Sequence, residues 1–237
     1  MNKSRKAIKL ISVLLLVGVL AFVAYELFQI RNITVSGCET VSKDAVITSS
    51  GLKAGESIFS VDSKKVMDLI ASDPYVKPVS VTVEYPDSVA ITIKERKEAA
   101  CIRRYDTILV IDDECYLLKV LSPSETVSYP EVTGLSLDGF NIGEMLHASD
   151  PFQLDVLSSV LSESDASGIG LKSIDLSIAA DVTLEINDGY TVELGDDTNL
   201  EKKFQLIEAS ARELQGKGKT GGIIDVVSAN EAYYRQK

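Results

Sequence analysis

The chain has no tryptophan, one histidine and three cysteines in 237 residues, and its 24 Lys plus Arg are outnumbered by 35 Asp plus Glu. With His147 as the only imidazole, a Ser or Cys nucleophile has no sequence-evident base, and His-rich zinc constellations are excluded. The lack of Trp and an aromatic content of 6% leave little from which to build a sugar-binding platform. A net charge of −11 with no basic stripe excludes a general nucleic-acid binder, because an acidic surface repels backbone phosphates. Three cysteines cannot all pair within one chain. Cys101 and Cys115 can bridge only if their strands are close, and a chain of this length builds a core without staples, so free buried thiols are expected. What is plentiful is apolar side chain: 45% of residues, which excludes disorder as a whole-chain description.

Four cations, Lys3, Arg5, Lys6 and Lys9, crowd the first nine residues without an acid. An apolar run follows, opening at Leu10 and closing at Phe28. Its 19 residues make about 28 Å of helix at roughly 1.5 Å per residue, which matches the hydrocarbon thickness of a bilayer. The cationic flank keeps the N-terminus in the cytoplasm and sends the rest across. That rest carries 20 basic against 35 acidic residues, a formal −15. A cleaved signal peptide, with Val19-Leu20-Ala21 as its processing site, is the alternative; the run outlasts a usual apolar core of ~7–15 residues.

Beyond the span, Ile33-Thr34-Val35 reads as a strand stopping at Gly37. A helix beginning at Ser42-Lys43-Asp44 stops at Gly51. Asp62 caps a second helix whose Val66, Leu69 and Ile70 fall on one face, and this helix ends before Pro74. Val79, Val81, Val83 and Tyr85 alternate with polar residues, Pro86-Asp87-Ser88 turns, and Val89, Ile91 and Ile93 alternate again, which predicts a hairpin. Strand, helix, helix, strand, strand gives a small sheet with both helices on one face.

These segments carry a family resemblance. After the apolar anchor come Ile30-Arg31-Asn32-Ile33-Thr34-Val35-Ser36-Gly37, Gly55-Glu56-Ser57-Ile58-Phe59, Asp73-Pro74-Tyr75-Val76, Tyr85-Pro86-Asp87 and Ile91-Thr92-Ile93-Lys94-Glu95-Arg96. In order and spacing this resembles the POTRA domain of the FtsQ/DivIB family of bacterial cell-division proteins. The resemblance runs through nearly the whole chain, since that family continues into a β-rich domain. It implies an α+β chain with a single N-terminal transmembrane helix, a POTRA-like β-α-α-β-β domain, and a mixed β-rich domain with flanking helices. The expected divisions are a cytoplasmic tail at 1–9, a span at 10–28, a POTRA-like domain at 29–97, a β domain at 98–228 and a C-terminal tail at 229–237.

Within the β domain, strands at 100–104, 108–111 and 116–119 read as a meander. Asp150-Pro151 caps a helix carrying Phe152, Val156, Leu157, Val160 and Leu161 and closed by Gly168. Asn187-Asp188-Gly189 turns a hairpin between 182–186 and 190–194. Thr198-Asn199-Leu200-Glu201 has capping-box spacing, and Leu200, Phe204, Ile207, Ala211 and Leu214 form an apolar stripe. A last strand follows a basic glycine-rich loop. No repeat of fixed period occurs.

Three motifs imitate chemistry. Asp112-Asp113-Glu114 could gather a hard cation, but it has no EF-hand spacing and reads as an acidic turn. Gly218-Lys219-Thr220 resembles the end of a phosphate-binding loop, yet Glu213 stands where that motif requires glycine. Among 35 acids a glycosidase pair can always be imagined. The expectation is no catalytic residue, no metal and no cofactor. Recognition remains, through a terminal strand, Ile223, Ile224, Asp225, Val226 and Val227, whose free edge would accept a partner strand. The resemblance implies that this end docks FtsL and DivIC/FtsB type proteins, with Tyr233 and Tyr234 as anchors. The alternatives are an extracytoplasmic wall-acting enzyme and a POTRA module of a transport system.

Overall fold

The computed structural model describes residues 2–236, with side chains from Lys9 onward. The chain divides into two compact units, Met1–Glu95 and Arg96–Lys237.

The first unit starts with α1 (Asn2–Leu27). Its stretch Lys9–Leu27 is 19 residues long and apolar enough to cross a membrane, and none of it is buried in the protein. Then come β1 (Asn32–Ser36), α2 (Lys43–Ser50), a 3-10 turn (Ile58–Ser60), α3 (Ser63–Ile70), β2 (Val76–Glu84) and β3 (Ser88–Glu95). The sheet order is β1-β3-β2, with β3 central, parallel to β1 and antiparallel to β2. Asp62 caps α3 by accepting the Lys64 and Lys65 N–H groups at 3.1 and 3.2 Å. Gly51 ends α2 at φ +71°. Gly37 sits at φ +87° with the Ile93 carbonyl where a Cβ would lie, so the exit from β1 admits no side chain. Val89, Ile91 and Ile93 of β3 pack with Val46, Val66 and Ile70 of the helices.

The alternation expected along β2 breaks. Its register shifts between Pro78 and Ser80, leaving Val79 unopposed and 56% exposed, while Tyr85 is 63% exposed. A bulge on an edge strand rotates Val79 out of the common face, while Tyr85 lies past the end of β2 in the turn.

Glu95, at the end of β3, holds the loop between β1 and α2. Its carboxylate accepts the N–H groups of Glu39, Thr40 and Val41 at 2.6, 2.9 and 2.8 Å, and the Thr40 hydroxyl at 2.6 Å. The Thr40 hydroxyl, then the backbone donors, pull its pKa down to about 2.

The second unit contains β4 (Ala100–Arg104), β5 (Thr107–Ile111), β6 (Leu117–Leu121), β7 (Glu131–Thr133), β8 (Leu137–Gly139), β9 (His147–Ala148), α4 (Pro151–Ser167), β10 (Leu171–Asp175), β11 (Val182–Ile186), β12 (Tyr190–Gly195), α5 (Leu200–Gly216), β13 (Gly222–Asp225) and β14 (Tyr233–Arg235). Nine strands form one sheet in the order β14-β13-β12-β11-β10-β7-β4-β5-β6, and β8 and β9 pair separately. Val182, Leu184 and Ile186 of β11 and Tyr190, Val192 and Leu194 of β12 are buried, with half-exposed residues between them. They join Val156, Leu157 and Val160 of α4 and Phe204, Ile207 and Ala211 of α5 in one core.

Asp150 caps α4 through the Phe152 N–H at 3.1 Å, and Gly168 ends it at φ +72°. Phe152, however, is half exposed. The capping box expected at Thr198 does not form. Asn199 occupies the N-cap in the left-handed region without a side-chain cap, and the Thr198 hydroxyl donates to Asp196 instead, at 2.7 Å. Lys203, fully buried, replaces the box by donating to the Asp196 carbonyl and carboxylate at 2.8 and 2.9 Å.

The acidic turn at Asp112 is built around a cation from the chain itself. The Arg96 guanidinium pairs with the buried Asp112 carboxylate and, at 3.1 Å, with Glu114, and lies over the Tyr116 ring at 3.6 Å. Asp112 also accepts the Glu114 and Tyr116 N–H groups. Burial pushes its pKa up, against the pull of these donors. All three cysteines are free, with Cys101 and Cys115 buried and Cys38 half-buried.

Candidate protein-interaction edge

The expected edge strand is not the edge. β13 spans only Gly222–Asp225 and is paired on both sides. It runs parallel to β12, with Val192 opposite Ile224, and antiparallel to β14, with Ile224 opposite Tyr234. Ile224 is completely buried and Ile223 and Asp225 are half-buried. Val226 and Val227 lie past the strand. The buried Val226 donates its N–H to the Glu193 carbonyl at 3.0 Å, and the exposed Val227 donates to the Asp225 carboxylate at 3.1 Å. The cause is the segment expected to be a free tail: the chain turns at Ala229, φ +52°, and returns along β13 as β14.

β14 is held by a close backbone approach. Gly222 has φ +117°, and a Cβ there would stand 2.5 Å from Cε2 of Tyr234 and 2.8 Å from the Arg235 carbonyl oxygen. Only glycine lets the Tyr234 ring lie on the strand. The Tyr234 hydroxyl donates to the Gly221 carbonyl at 3.0 Å, and Lys219 Nζ stands 4.6 Å from the ring centre. Tyr190, pushed up in pKa by burial, donates to the Lys219 carbonyl at 2.7 Å. The loop that imitates a phosphate-binding motif is therefore a support for β13 and β14. Arg235 pairs with Glu193 across the sheet.

The two expected anchors have different situations. Tyr234 is half-buried and faces the sheet. Tyr233 is 58% exposed, and its hydroxyl donates to Glu231 at 2.5 Å, which raises its pKa. At the opposite end of the sheet the first residue of β6 is covered: Leu117 donates to the Glu144 carbonyl at 2.9 Å, and Gly143 donates to the Leu117 carbonyl at 2.8 Å. Among the described residues no strand pairs with the outer side of β14. Its outer backbone groups are left unpaired by the sheet.

His147 is exposed at the start of β9. Among the described residues no group of three or more His, Cys, Asp or Glu side chains is placed to hold a metal ion.

Residues 28–96 match the model of the POTRA domain, FtsQ-type. The chain is 28% identical over 244 aligned positions to the cell division protein DivIB of Clostridium botulinum (strain Loch Maree / Type A3), covering 100% of this chain and 94% of that one. It is 28% identical over 203 positions to the cell division protein FtsQ of Corynebacterium glutamicum, covering 84% of this chain and 86% of that one. An apolar N-terminal helix long enough to cross a membrane, a βααββ domain and a nine-stranded sheet are the architecture of a membrane-anchored protein with a POTRA domain. These matches show that residues 28–96 form a POTRA domain of FtsQ type and that the chain is similar, over most or all of its length, to proteins named cell division proteins DivIB and FtsQ, which supports a role in cell division.

Proposed function

We propose that the protein is a non-enzymatic scaffold of the division complex, linking or stabilising small membrane-anchored partners of FtsL and DivIC/FtsB type at the septum. The observation that carries this reading is the unpaired outer side of β14, the strand that the chain's last segment adds to the sheet beside the half-buried Tyr234 and the exposed Tyr233. A partner segment adds a strand along Tyr233–Arg235, so that backbone hydrogen bonds supply affinity and side-chain pockets supply choice. Tyr233 is the exposed anchor, with Val227 beside the turn. Ile223, Ile224, Asp225, Val226 and Tyr234 support the edge from behind. In this reading residues 10–28 span the membrane, and the cations at Lys3, Arg5, Lys6 and Lys9 keep the N-terminus cytoplasmic, which places both domains outside.

Co-purification from cells with the tagged full chain tests the proposal. Replacing Tyr233 by Ala removes an anchor worth about 2 kcal/mol, so recovery of FtsL and DivIC/FtsB type partners should fall roughly thirtyfold. Tyr105→Ala, at a fully exposed hairpin tip, should leave it unchanged. Equal recovery with Tyr233→Ala and with β14 deleted refutes the edge. Digestion of the C-terminal domains by protease added to wall-stripped cells checks the topology; full protection refutes it.

A further inference from the structure

Three aromatic rings from three separate parts of the first unit meet at the C-terminal end of α1. Phe28 is the first residue after α1, Phe59 lies in the 3-10 turn and Tyr85 follows β2. The Phe28 and Phe59 ring centres are 5.0 Å apart, Phe59 and Tyr85 5.7 Å, and Phe28 and Tyr85 6.4 Å. Phe59 is 65% and Tyr85 63% exposed, although both neighbours of the cluster along the chain, Ile30 and Ile58, are almost completely buried. Phe28 is half-buried against the core, but the exposed faces of Phe59 and Tyr85 standing in water are unfavourable and unexplained by the packing of the domain.

The position of the cluster relative to α1 is set by backbone. Ile58 donates to the Phe28 carbonyl, Ile30 to that of Glu56, and Gly55 to that of Ile30, all at 2.8 Å, and Gln29 bridges Ser57. Phe28 itself still donates to the Ala24 carbonyl at 3.1 Å, and the Arg31 guanidinium donates to the Glu26 carbonyl at 3.0 Å. No loose segment separates helix from domain. A span ending at 27 or 28 therefore puts Phe28 at the edge of the hydrocarbon and brings Phe59 and Tyr85 to the same level.

We infer that Phe28, Phe59 and Tyr85 form a lipid-contacting patch by which the first unit seats itself in the headgroup layer beside its own span. The inference rests on the reading of α1 as a transmembrane helix. Aromatic rings favour this layer, where a tyrosine can keep its hydroxyl wet while its ring is apolar. The cation of Arg31 stands among the acids Glu26, Glu56 and Asp87, so the contact is apolar and not an attraction to anionic lipid.

The absence of native Trp makes the test direct, because each introduced indole reports one position. The full chain is placed in lipid nanodiscs as Phe59→Trp, Tyr85→Trp, Leu15→Trp and Lys94→Trp. Lys94 is exposed on β3, about 20 Å along the strand from Ser88 at roughly 3.3 Å per residue. Emission of Phe59→Trp and Tyr85→Trp should be blue-shifted from that of Lys94→Trp and lose intensity when the acyl chains are brominated near the headgroup. Leu15→Trp should be quenched by deeper bromines and Lys94→Trp by neither. If Leu15→Trp is quenched while Phe59→Trp and Tyr85→Trp match Lys94→Trp, the patch is refuted and the anchor stands. If Leu15→Trp is unquenched, the span fails and the patch with it.

Discussion

Gly222→Ala should release β14 without unfolding the sheet. The new methyl group would lie 2.5 Å from Cε2 and 2.9 Å from Cζ of Tyr234. Carbon atoms in contact prefer about 3.5–4.0 Å, so the ring must retreat by about 1 Å. That retreat breaks its hydroxyl bond to Gly221, worth about 1 kcal/mol net, and a non-glycine residue at φ +117° adds backbone strain of about 1–3 kcal/mol. Against this stands an attachment of three paired residues and the exposed pair between Arg235 and Glu193, at about 1 kcal/mol per hydrogen bond and less for the ion pair. The two totals are similar, so the strand detaches locally. Hydrogen exchange read by mass spectrometry should show amides of 233–235 exchanging about thirtyfold faster for ~2 kcal/mol, while 182–195 keep their protection. Partner recovery should fall in parallel. Unchanged exchange at 233–235 would refute the close-approach reasoning, and faster exchange throughout the sheet would refute the local nature of the attachment.

Two further outcomes follow from perturbed groups. Glu95 has a folded pKa of about 2, below its unfolded value of about 4.3, so the unfolded chain binds more protons and its contribution, present above pH ~4.3, is lost as pH falls toward 2. Unfolding midpoints measured between pH 5 and 2.5 should fall less steeply in Glu95→Gln than in the parent; parallel slopes would show that the carboxylate cage adds nothing. Cys115 is pushed up to about 12, first by burial and then by Asp112, Asp113 and Asp155. An alkylating reagent at pH 8 should mark half-buried Cys38 well before Cys115, which should react only on unfolding. Equal labelling rates by mass spectrometry would contradict the packing described for that thiol.

The elements that could be read from sequence were those whose stopping signals are local. Asp62 and Asp150-Pro151 start helices with their own side chains, and Asn187-Asp188-Gly189 makes its turn through a glycine at φ +85°. Illegible elements owe their form to remote partners. β10 carries a register shift between Leu171 and Ser173, so its buried residues, Leu171 and Ile174, lose the period of two. β14 is three residues long and exists because Gly222, far back in the chain, leaves room for Tyr234. Lys203 falls beside the apolar stripe of α5 and reads as a surface charge, yet it is buried by its bonds to Asp196. The strand expected at the edge, β13, is therefore one strand in from the edge that the sheet presents at that end. Tyr233 and Tyr234 could be picked as a pair, while their division into an outward and an inward ring depends on the register with β13.

The tight splice between α1 and the first unit has a mechanical result. A helix in a bilayer can spin about its long axis and lean, and a head joined by a floppy tether would ignore both motions. Here the carbonyls of Phe28, Ile30 and Glu56 clasp shaft and head together, so each degree of spin becomes a change of compass bearing for the head along the membrane plane. Neighbouring helices that grip the shaft thereby steer what the head faces, without touching it.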